Sequence, residues 1–185
     1  DFGLRIQGNG PPVETVWRDC TINCPRSLIY VDSDVPYTRP VSIICENVTH
    51  TGADGTISGV YLPCHLDKVL IDGCDLQGPY ASYGIAVGRH KATNDYAQRD
   101  NILIRNTTVG NVTGDGEVHN IILWYVQNAQ IINVTCGSVG ATDSNELQCQ
   151  NIYTKATHLL IDGAVVDGSP ESGIQVKGDS SVVRA

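Results

Sequence analysis

Three charged side chains have types and a spacing that suit acid and base chemistry on a glycosidic bond. Asp72 and Asp75 are three residues apart, and Arg105 occupies the corresponding place in the next repeat of the chain. Two neighbouring carboxylates can serve as general acid and as base or nucleophile in glycoside cleavage. A guanidinium beside them can bind a substrate carboxylate through two parallel hydrogen bonds. Asp72, Asp75 and Arg105 are therefore the candidate catalytic residues, although Asp72 and Arg105 can equally form an inert surface ion pair.

The repeat that positions these residues is a short alternating phrase. In each copy two apolar residues flank one spacer residue. A polar spacer and a small or polar turn residue follow, and another apolar residue comes three places after the turn residue. Copies occupy residues 41–48, 69–76, 102–109, 132–139 and 159–166, with a weaker one at 15–22. Their central residues are Trp17, Ile43, Ile71, Ile104, Val134 and Ile161. The period is thus roughly 26 to 33 residues, which is typical of solenoids.

A second alternating segment lies between these copies, at 27–31, 58–62, 83–87, 120–125 and 172–176. Alternation with a period of two buries one face of each strand, and no helical periodicity supplies a helix to cover a flat parallel sheet. Coiling the chain so that equivalent strands stack joins the inward residues into one apolar column. The sequence therefore predicts an all-β fold, a right-handed single-stranded parallel β-helix of about six coils. A leucine-rich repeat has a shorter period and a β-sandwich has no coil register, so both fit less well.

This register predicts equivalent turns and an outward column of side chains. The expected turn residues are Asp19, Cys45, Gly73, Asn106, Cys136 and Gly163. Glycine and asparagine suit such turns because they tolerate positive φ. The expected outward column is Arg18, Ile44, Asp72, Arg105, Thr135 and Asp162. Since stacked coils lie about 4.8 Å apart, the register brings Asp72, Asp75 and Arg105 into one cluster.

Length and charge exclude several classes of protein. The 185 residues suit a single domain, with a lead-in at 1–14 and coils at 15–185. The formal net charge is -8 and the charges are scattered, so we expect no nucleic-acid partner. No apolar run approaches the roughly 20 residues that cross a bilayer, so we expect no membrane insertion. The chain starts without methionine, which indicates a mature product or a fragment of a longer solenoid.

Cysteines and sequons bear on the cellular compartment. The seven cysteines show no zinc-binding spacing, and two interpretations stay open: small buried residues, or several disulfides of an oxidising compartment. The Asn-x-Thr sequons at Asn47, Asn106, Asn111 and Asn133 are potential glycosylation sites. Chance supplies about two such matches in a chain this rich in asparagine and threonine. They favour an extracellular location only weakly.

Aromatic side chains and one irregular segment provide candidate ligand contacts. Tyr30, Tyr61 and Trp124 are expected on the outward side of the second segment, where their rings can stack on sugar faces or simply favour strand formation. The irregular segment 89–100 lengthens the third coil, and loops that leave a solenoid tend to border its binding face. The candidate contacts in this segment are His90, Asp95, Tyr96 and Arg99.

No metal or other cofactor is predicted. The five histidines are spread over separate coils without the spacing of metal ligands. A calcium site would have to use the loop residues Asp115, Glu117 and Asp143, and the aspartate-glycine nonapeptide pattern of calcium-binding β-helices is absent.

The repeated phrase, for example residues 101–109, resembles the right-handed parallel β-helices of pectate-lyase-like enzymes and bacteriophage tailspikes. The resemblance extends from about Thr15 onward. That superfamily includes lyases, glycoside hydrolases, epimerases and adhesive fibres that act mainly on acidic or complex polysaccharides, so the fold alone does not give the function. The Asn-Thr-Asp, Asp-Asp and Gly-His-Gly motifs of polygalacturonase-like hydrolases are absent, as is the Asp-Pro-His-Glu motif of alginate-type epimerases.

Three functions are compatible with this resemblance. The first is an extracellular or phage-borne module, on a secreted protein or a virion surface, that binds polysaccharide or forms part of a spike or fibre. The second is a polysaccharide lyase or glycoside hydrolase acting on an acidic polysaccharide. The third is a purely structural repeat of an extracellular filament. The expected partners are a polysaccharide and, by the same resemblance, other copies of the chain in a trimer or in end-to-end contact.

Overall fold

A computed structural model describes residues 2–8, 10–32, 40–52, 56–63, 66–88, 101–142 and 149–184. These residues contain β-strands and no helix. In chain order the strands are β1 (Leu4–Ile6), β2 (Val13–Asn23), β3 (Ile29–Val31), β4 (Val41–Thr51), β5 (Ser58–Leu62), β6 (Leu66–Asp72), β7 (Asp75–Leu76), β8 (Tyr83–Gly88) and β9 (Ile102–Arg105). They continue as β10 (Thr108–Val109), β11 (Val112–Gly114), β12 (Val118–Ile132), β13 (Thr135–Cys136), β14 (Val139–Ala141), β15 (Cys149–Asp162), β16 (Val165–Val166), β17 (Ser172–Val176) and β18 (Val182–Arg184).

Strands of successive turns pair in parallel and form three stacks, beside a separate parallel pair of β11 and β14. The first sheet contains β1, β3, β5, β8, the first halves of β12 and β15, and β17. The second sheet contains β2, β4, β6, β9, the second halves of β12 and β15, and β18. The third sheet is short and contains the end of β4 followed by β7, β10, β13 and β16. The fold is a parallel β-solenoid of about five turns, which confirms the predicted β-helix and roughly its number of coils.

Inward residues of all the turns join into one apolar core. On the second sheet Ile71, Ile104, Ile131 and Ile161 occupy equivalent places on successive turns and are completely buried. β-Branched residues fit this column because their stiff side chains pack well on a pleated surface. The core thereby holds the outward faces of the sheets at a fixed spacing.

The centres predicted for the second and fifth copies of the phrase are wrong. The observed centres are Cys45, which pairs with Ile71, and Ile131, which pairs with Ile104. In the second copy, frames two residues apart bury the same face, so alternation alone does not separate them. In the fifth copy the predicted phrase runs through the turn itself. The residues displaced from the central place are Ile43 and Val134.

A ladder of turn residues with positive φ fixes the frame of each coil. These residues are Asp19, Asn47, Gly73, Asn106, Asn133 and Gly163. Four of the six predicted turn residues are therefore right, while Cys45 and Cys136 lie inside strands and the turn places belong to asparagines. Asparagine suits this place because its short polar side chain tolerates the left-handed region and bonds locally. At Gly73 a Cβ atom would lie 2.6 Å from Oδ1 of Asn47, so glycine is required there.

Amide side chains of this turn ladder bond from one coil to the next. The Nδ2 atom of Asn47 donates to Oδ1 of Asp19 at 2.9 Å, and that of Asn133 donates to Asn106 at 3.4 Å. Three of the four sequons begin at ladder asparagines, with a buried residue at the middle position, as Val48 shows. The Asn-x-Thr pattern at these places is therefore also a turn pattern of the solenoid.

Six cysteines fall within the described residues, and none of the six forms a disulfide bond. Cys136 and Cys149 are completely buried, and Cys45 is 1% exposed. In this part of the chain they act as small apolar core residues, the first of the two interpretations left open by the sequence. None of the described residues forms a helix long and apolar enough to span a membrane.

Candidate functional site

The outward face of the second sheet carries a column of mainly charged side chains of both signs. In order along the solenoid the column is Arg18, Glu46, Asp72, Arg105, Ile132, Asp162 and Arg184. Glu46 and Ile132 replace the predicted Ile44 and Thr135, because the frames of those two coils are shifted. Arg18 pairs with Glu46, Arg105 with Asp72, and Arg184 with Asp162.

Both oxygens of the Asp72 carboxylate are occupied by hydrogen bonds. Oδ2 accepts from Nε of Arg105 at 2.8 Å and lies 2.6 Å from Nη2 of the same side chain. Oδ1 accepts from Nδ2 of Asn106 at 3.0 Å. The Arg105 hydrogen bond is the main cause of a lowered pKa of Asp72, Asn106 and the Arg105 charge add to it, and partial burial opposes it. The carboxylate is held ionised, which suits an ion pair and not a proton donor.

The structure joins only two of the three candidate catalytic residues. Asp75 lies in the third sheet beyond the turn at Gly73, and its Oδ2 accepts from Nε2 of Gln77 at 2.8 Å. Within the described residues no hydrogen bond or ion pair links Asp75 to Asp72 or to Arg105. Two carboxylates poised around one bond are the requirement for glycoside cleavage. A catalytic role for this cluster stays a prediction.

A second outward column beside the charges is mainly apolar and contains a groove. The column is Val16, Ile44, Leu70, Leu103, Gln130, Leu160 and Val182. The groove has a volume of about 600 Å³ and crosses β6, β9 and β12. Its apolar lining residues are the half-buried Leu70 and Leu103, together with the buried Val69 and Ile102. Its polar lining residues are Asp67, Lys68, Asn101, Arg105, Asn128 and Gln130, all of them exposed.

Arg105 is the one groove-lining residue that was predicted as a site residue from the sequence. Leu70 and Leu103 lie at outward positions two residues before Asp72 and Arg105, and this repeated position is the sequence signal for the two leucines. A single outward leucine is ordinary, but two leucines at corresponding places of neighbouring turns form a continuous apolar patch.

The outward face of the first sheet carries a stack of aromatic rings. Neighbouring ring centres are 4.9 to 6.3 Å apart from one end to the other. The rings, in order, belong to Phe2, Tyr30, Tyr61, Tyr83, His119 and Tyr153. We call this set the aromatic ladder. It includes the predicted contacts Tyr30 and Tyr61, whose ring planes are 20° apart.

The rings of the aromatic ladder cover one another's faces, and His119 and Tyr153 are buried while the other four rings are half-buried. Stacking of a sugar needs an open ring face, and the faces between Tyr30 and Tyr61 are already in use. Trp124 meets Tyr83 edge-on at 5.3 Å and is 3% exposed. Trp124 packs with Ala86, Ile122 and Tyr153 in a small buried cluster outside the main core. Sugar contacts by these aromatic residues stay a prediction. The polar groups that the tyrosines of the ladder can offer to a ligand are their hydroxyl groups.

The remaining candidate residues do not assemble into a site. His90, Asp95, Tyr96 and Arg99 lie outside the described residues, as does Asp143. Asp115 accepts a hydrogen bond from Thr142, and Glu117 lies 3.4 Å from Nε2 of His119. Among the described residues no three histidine, cysteine, aspartate or glutamate side chains are grouped in a way that could hold a metal ion.

Comparison with known proteins adds no relative. No family model, curated protein or solved structure that was compared matches this chain. A proposal for the ligand of the outward faces therefore has to be based on the geometry of those faces.

Proposed function

We propose that this β-solenoid is an extracellular polysaccharide-binding module whose binding surface is the groove across β6, β9 and β12. The observation that carries the proposal is the composition of that groove. Leu70 and Leu103 supply apolar surface, and exposed amides and charges surround them. Ligand sites typically combine apolar lining with a few polar groups that fix orientation. A sugar chain, with apolar C–H faces and hydroxyl edges, has the complementary chemistry.

The groove also has the shape that an extended polymer needs. It crosses three consecutive strands of a parallel stack, which at about 4.8 Å per strand gives roughly 10 Å between the outer two. Asn128 and Gln130 each carry two donors and an acceptor that can pair with hydroxyl groups. Because the same columns continue on both sides of the groove, a chain can extend past it along the solenoid axis.

Binding explains the geometry of this surface better than cleavage does, because the carboxyl group of Asp72 is held in its ionised form. A general acid must hold a proton, while the Arg105 and Asn106 hydrogen bonds keep the pKa of Asp72 below its ordinary value. A lyase or glycoside hydrolase acting on an acidic polysaccharide remains the alternative tested in the same experiment.

The test measures binding and cleavage of neutral and acidic polysaccharides by the same samples. Calorimetry reports affinity, and reducing ends and unsaturated uronic products report cleavage. Leu103→Ala is expected to weaken binding about threefold to tenfold, since Leu103 is already half-buried and a ligand can add only part of the roughly 1.5 to 3 kcal/mol that full burial of a leucine contributes. Leu160→Ala is the matched control, because Leu160 occupies the same column two turns on and does not line the groove. Equal affinity of Leu103→Ala and wild type would refute the groove.

A structural role in a fibre or filament is the second candidate, and the aromatic ladder favours it. Rings that cover one another's faces stiffen the outer surface of the solenoid without needing a ligand. This candidate predicts no binding to any polysaccharide, together with self-association into trimers or end-to-end chains in sedimentation experiments. Binding to a polysaccharide without self-association would count against it.

A further inference from the structure

Two lysines of adjacent turns converge on one aromatic ring at the far end of the aromatic ladder. Nζ of Lys155 lies 5.5 Å from the ring centre of Tyr153, and Nζ of Lys177 lies 5.2 Å from the same centre. Lys155 belongs to β15, and Lys177 directly follows β17, the next strand of the first sheet. Their ammonium groups therefore share one neighbourhood on the surface.

A strained residue of the preceding turn completes this arrangement. Tyr125 has φ of 52°, a conformation that is rare for a bulky aromatic residue. It sits where the pairing of β12 with β15 shifts between Trp124 and Val126, so it is the extra residue of a β-bulge. Bulges re-aim side chains, and strained backbone concentrates at ligand sites. The ring of Tyr125 lies 5.5 Å from Nζ of Lys155, opposite that of Tyr153.

Neither ammonium group has a carboxylate partner within the described residues. No salt bridge there involves Lys155 or Lys177, although the chain as a whole carries a net charge of -8. Burial acts to lower the pKa of Lys155, but a hydrogen bond with Tyr153 and nearby acidic groups raise it overall, so the group stays a cation. Glu117 is the weakest of the groups that raise the pKa of Lys155, so an oxyanion between the two ammonium groups would still relieve their mutual repulsion.

We infer that Lys155, Lys177 and the rings of Tyr125 and Tyr153 form an anion-binding site for the carboxylate or sulfate group of an acidic sugar. The ammonium groups neutralise the anion, and the two rings fix the position of Lys155 through cation–π contact. The site lies on β15 and after β17, apart from the residues that line the groove. A test of this anion site therefore gives a result that is independent of the test of the groove.

Nuclear magnetic resonance of lysine side chains tests the site directly. The chain has four lysines, so ¹³Cε-labelled lysine gives few signals to assign. Sodium sulfate and sodium glucuronate are titrated against sodium chloride at constant ionic strength. Saturable shifts are expected for Lys155 and Lys177, and the sodium chloride titration gives the shifts that screening alone produces. Saturation by both anions indicates a general oxyanion site, and saturation by glucuronate alone indicates a carboxylate site.

Substitutions distinguish a specific anion-binding site from general screening of the surface charges by salt. Lys155→Gln and Lys177→Gln are each expected to weaken anion binding at least about tenfold, the usual effect of losing a charge-assisted hydrogen bond. Arg184→Gln, which removes an exposed cation outside this site and outside the groove, is expected to leave it unchanged. Tyr125→Gly keeps the positive φ but removes one ring, and it is expected to weaken binding as well. Linear shifts of Lys155 and Lys177 that match those in sodium chloride would overturn the inference.

Discussion

Sγ of Cys24 lies 3.2 Å from Nε2 of His50 inside the core. The other ring nitrogen of His50 lies 3.0 Å from the Tyr80 hydroxyl, so both nitrogens have a partner. His50 is completely buried and Tyr80 is 1% exposed. A neutral imidazole supplies one donor and one acceptor and so suits two hydroxyl or thiol partners, each able to donate or accept. Burial is the main cause of a lowered pKa of His50.

This cluster predicts loss of stability on mild acidification. In the unfolded chain His50 binds a proton below about pH 6.5, while in the folded chain it does so only at lower pH. The unfolded state therefore binds more protons once the pH falls below about 6.5, and stability decreases down to the folded pKa. Melting temperatures measured from pH 8 to pH 4.5 should show this decrease in wild type and less of it in His50→Gln. The control His158→Gln changes an exposed histidine and should keep the wild-type profile, whereas identical profiles for all three proteins would disprove the prediction.

Asn106 of the turn ladder predicts a distinctive pair of substitutions. Its Nδ2 donates to Asp72, its Oδ1 accepts from Asn133, and its φ is 50°. Asn106→Ala loses both hydrogen bonds and forces alanine into a left-handed conformation, which costs about 1 to 2 kcal/mol by itself. Asn106→Gly loses the same bonds without that strain, so urea unfolding should find it more stable than Asn106→Ala. Asn101→Ala, outside the ladder, should have little effect, and equal stability of the alanine and glycine variants would contradict the role of φ.

The sequence predicted the fold better than the surface. Ile71, Ile104 and Ile161 were placed correctly because each is followed by a turn residue that tolerates positive φ, namely Gly73, Asn106 or Gly163, and this residue fixes the frame that alternation alone leaves open. Asp72 and Arg105 were paired correctly for the same reason. The contacts of Tyr83 with the aromatic ladder were not foreseen, because the strand departs from alternation between Tyr83 and the inward Ile85.

The groove and the anion site were missed for a similar physical reason. Both depend on neighbours from different turns, such as Leu70 beside Leu103, and a frame error in one coil moves every outward neighbour. The bulge at Tyr125 has no signal in the sequence, since bulky aromatic residues seldom adopt positive φ.

The ion pair of Asp72 with Arg105 predicts a weak effect on stability that depends on salt and acid. Both side chains are partly exposed, and exposed pairs are screened by salt. Arg105→Gln should therefore destabilise less than Asn106→Ala, and the difference from wild type should shrink in 1 M salt. Because the folded pKa of Asp72 is lowered, its contribution is present above about pH 4 and is lost as the pH falls further. A urea series from pH 7 down to pH 2 checks both points, and an Arg105→Gln effect of the same size at every pH would argue against the pair.

The buried thiols predict an order of chemical modification. Burial raises the pKa of Cys45 and of Cys136 to about 12, so at pH 8 only about one thiol in ten thousand would be ionised even if reagent reached it. Cys20 is only partly buried. Iodoacetamide at pH 8 followed by peptide mass spectrometry should label Cys20 in the folded protein, and Cys45 and Cys136 only after addition of urea. Cys45 and Cys74 occupy adjacent turns, with Sγ of Cys74 donating to the Cys45 carbonyl at 3.5 Å. A peptide carrying a Cys45–Cys74 disulfide would contradict the assignment of these residues as free core thiols.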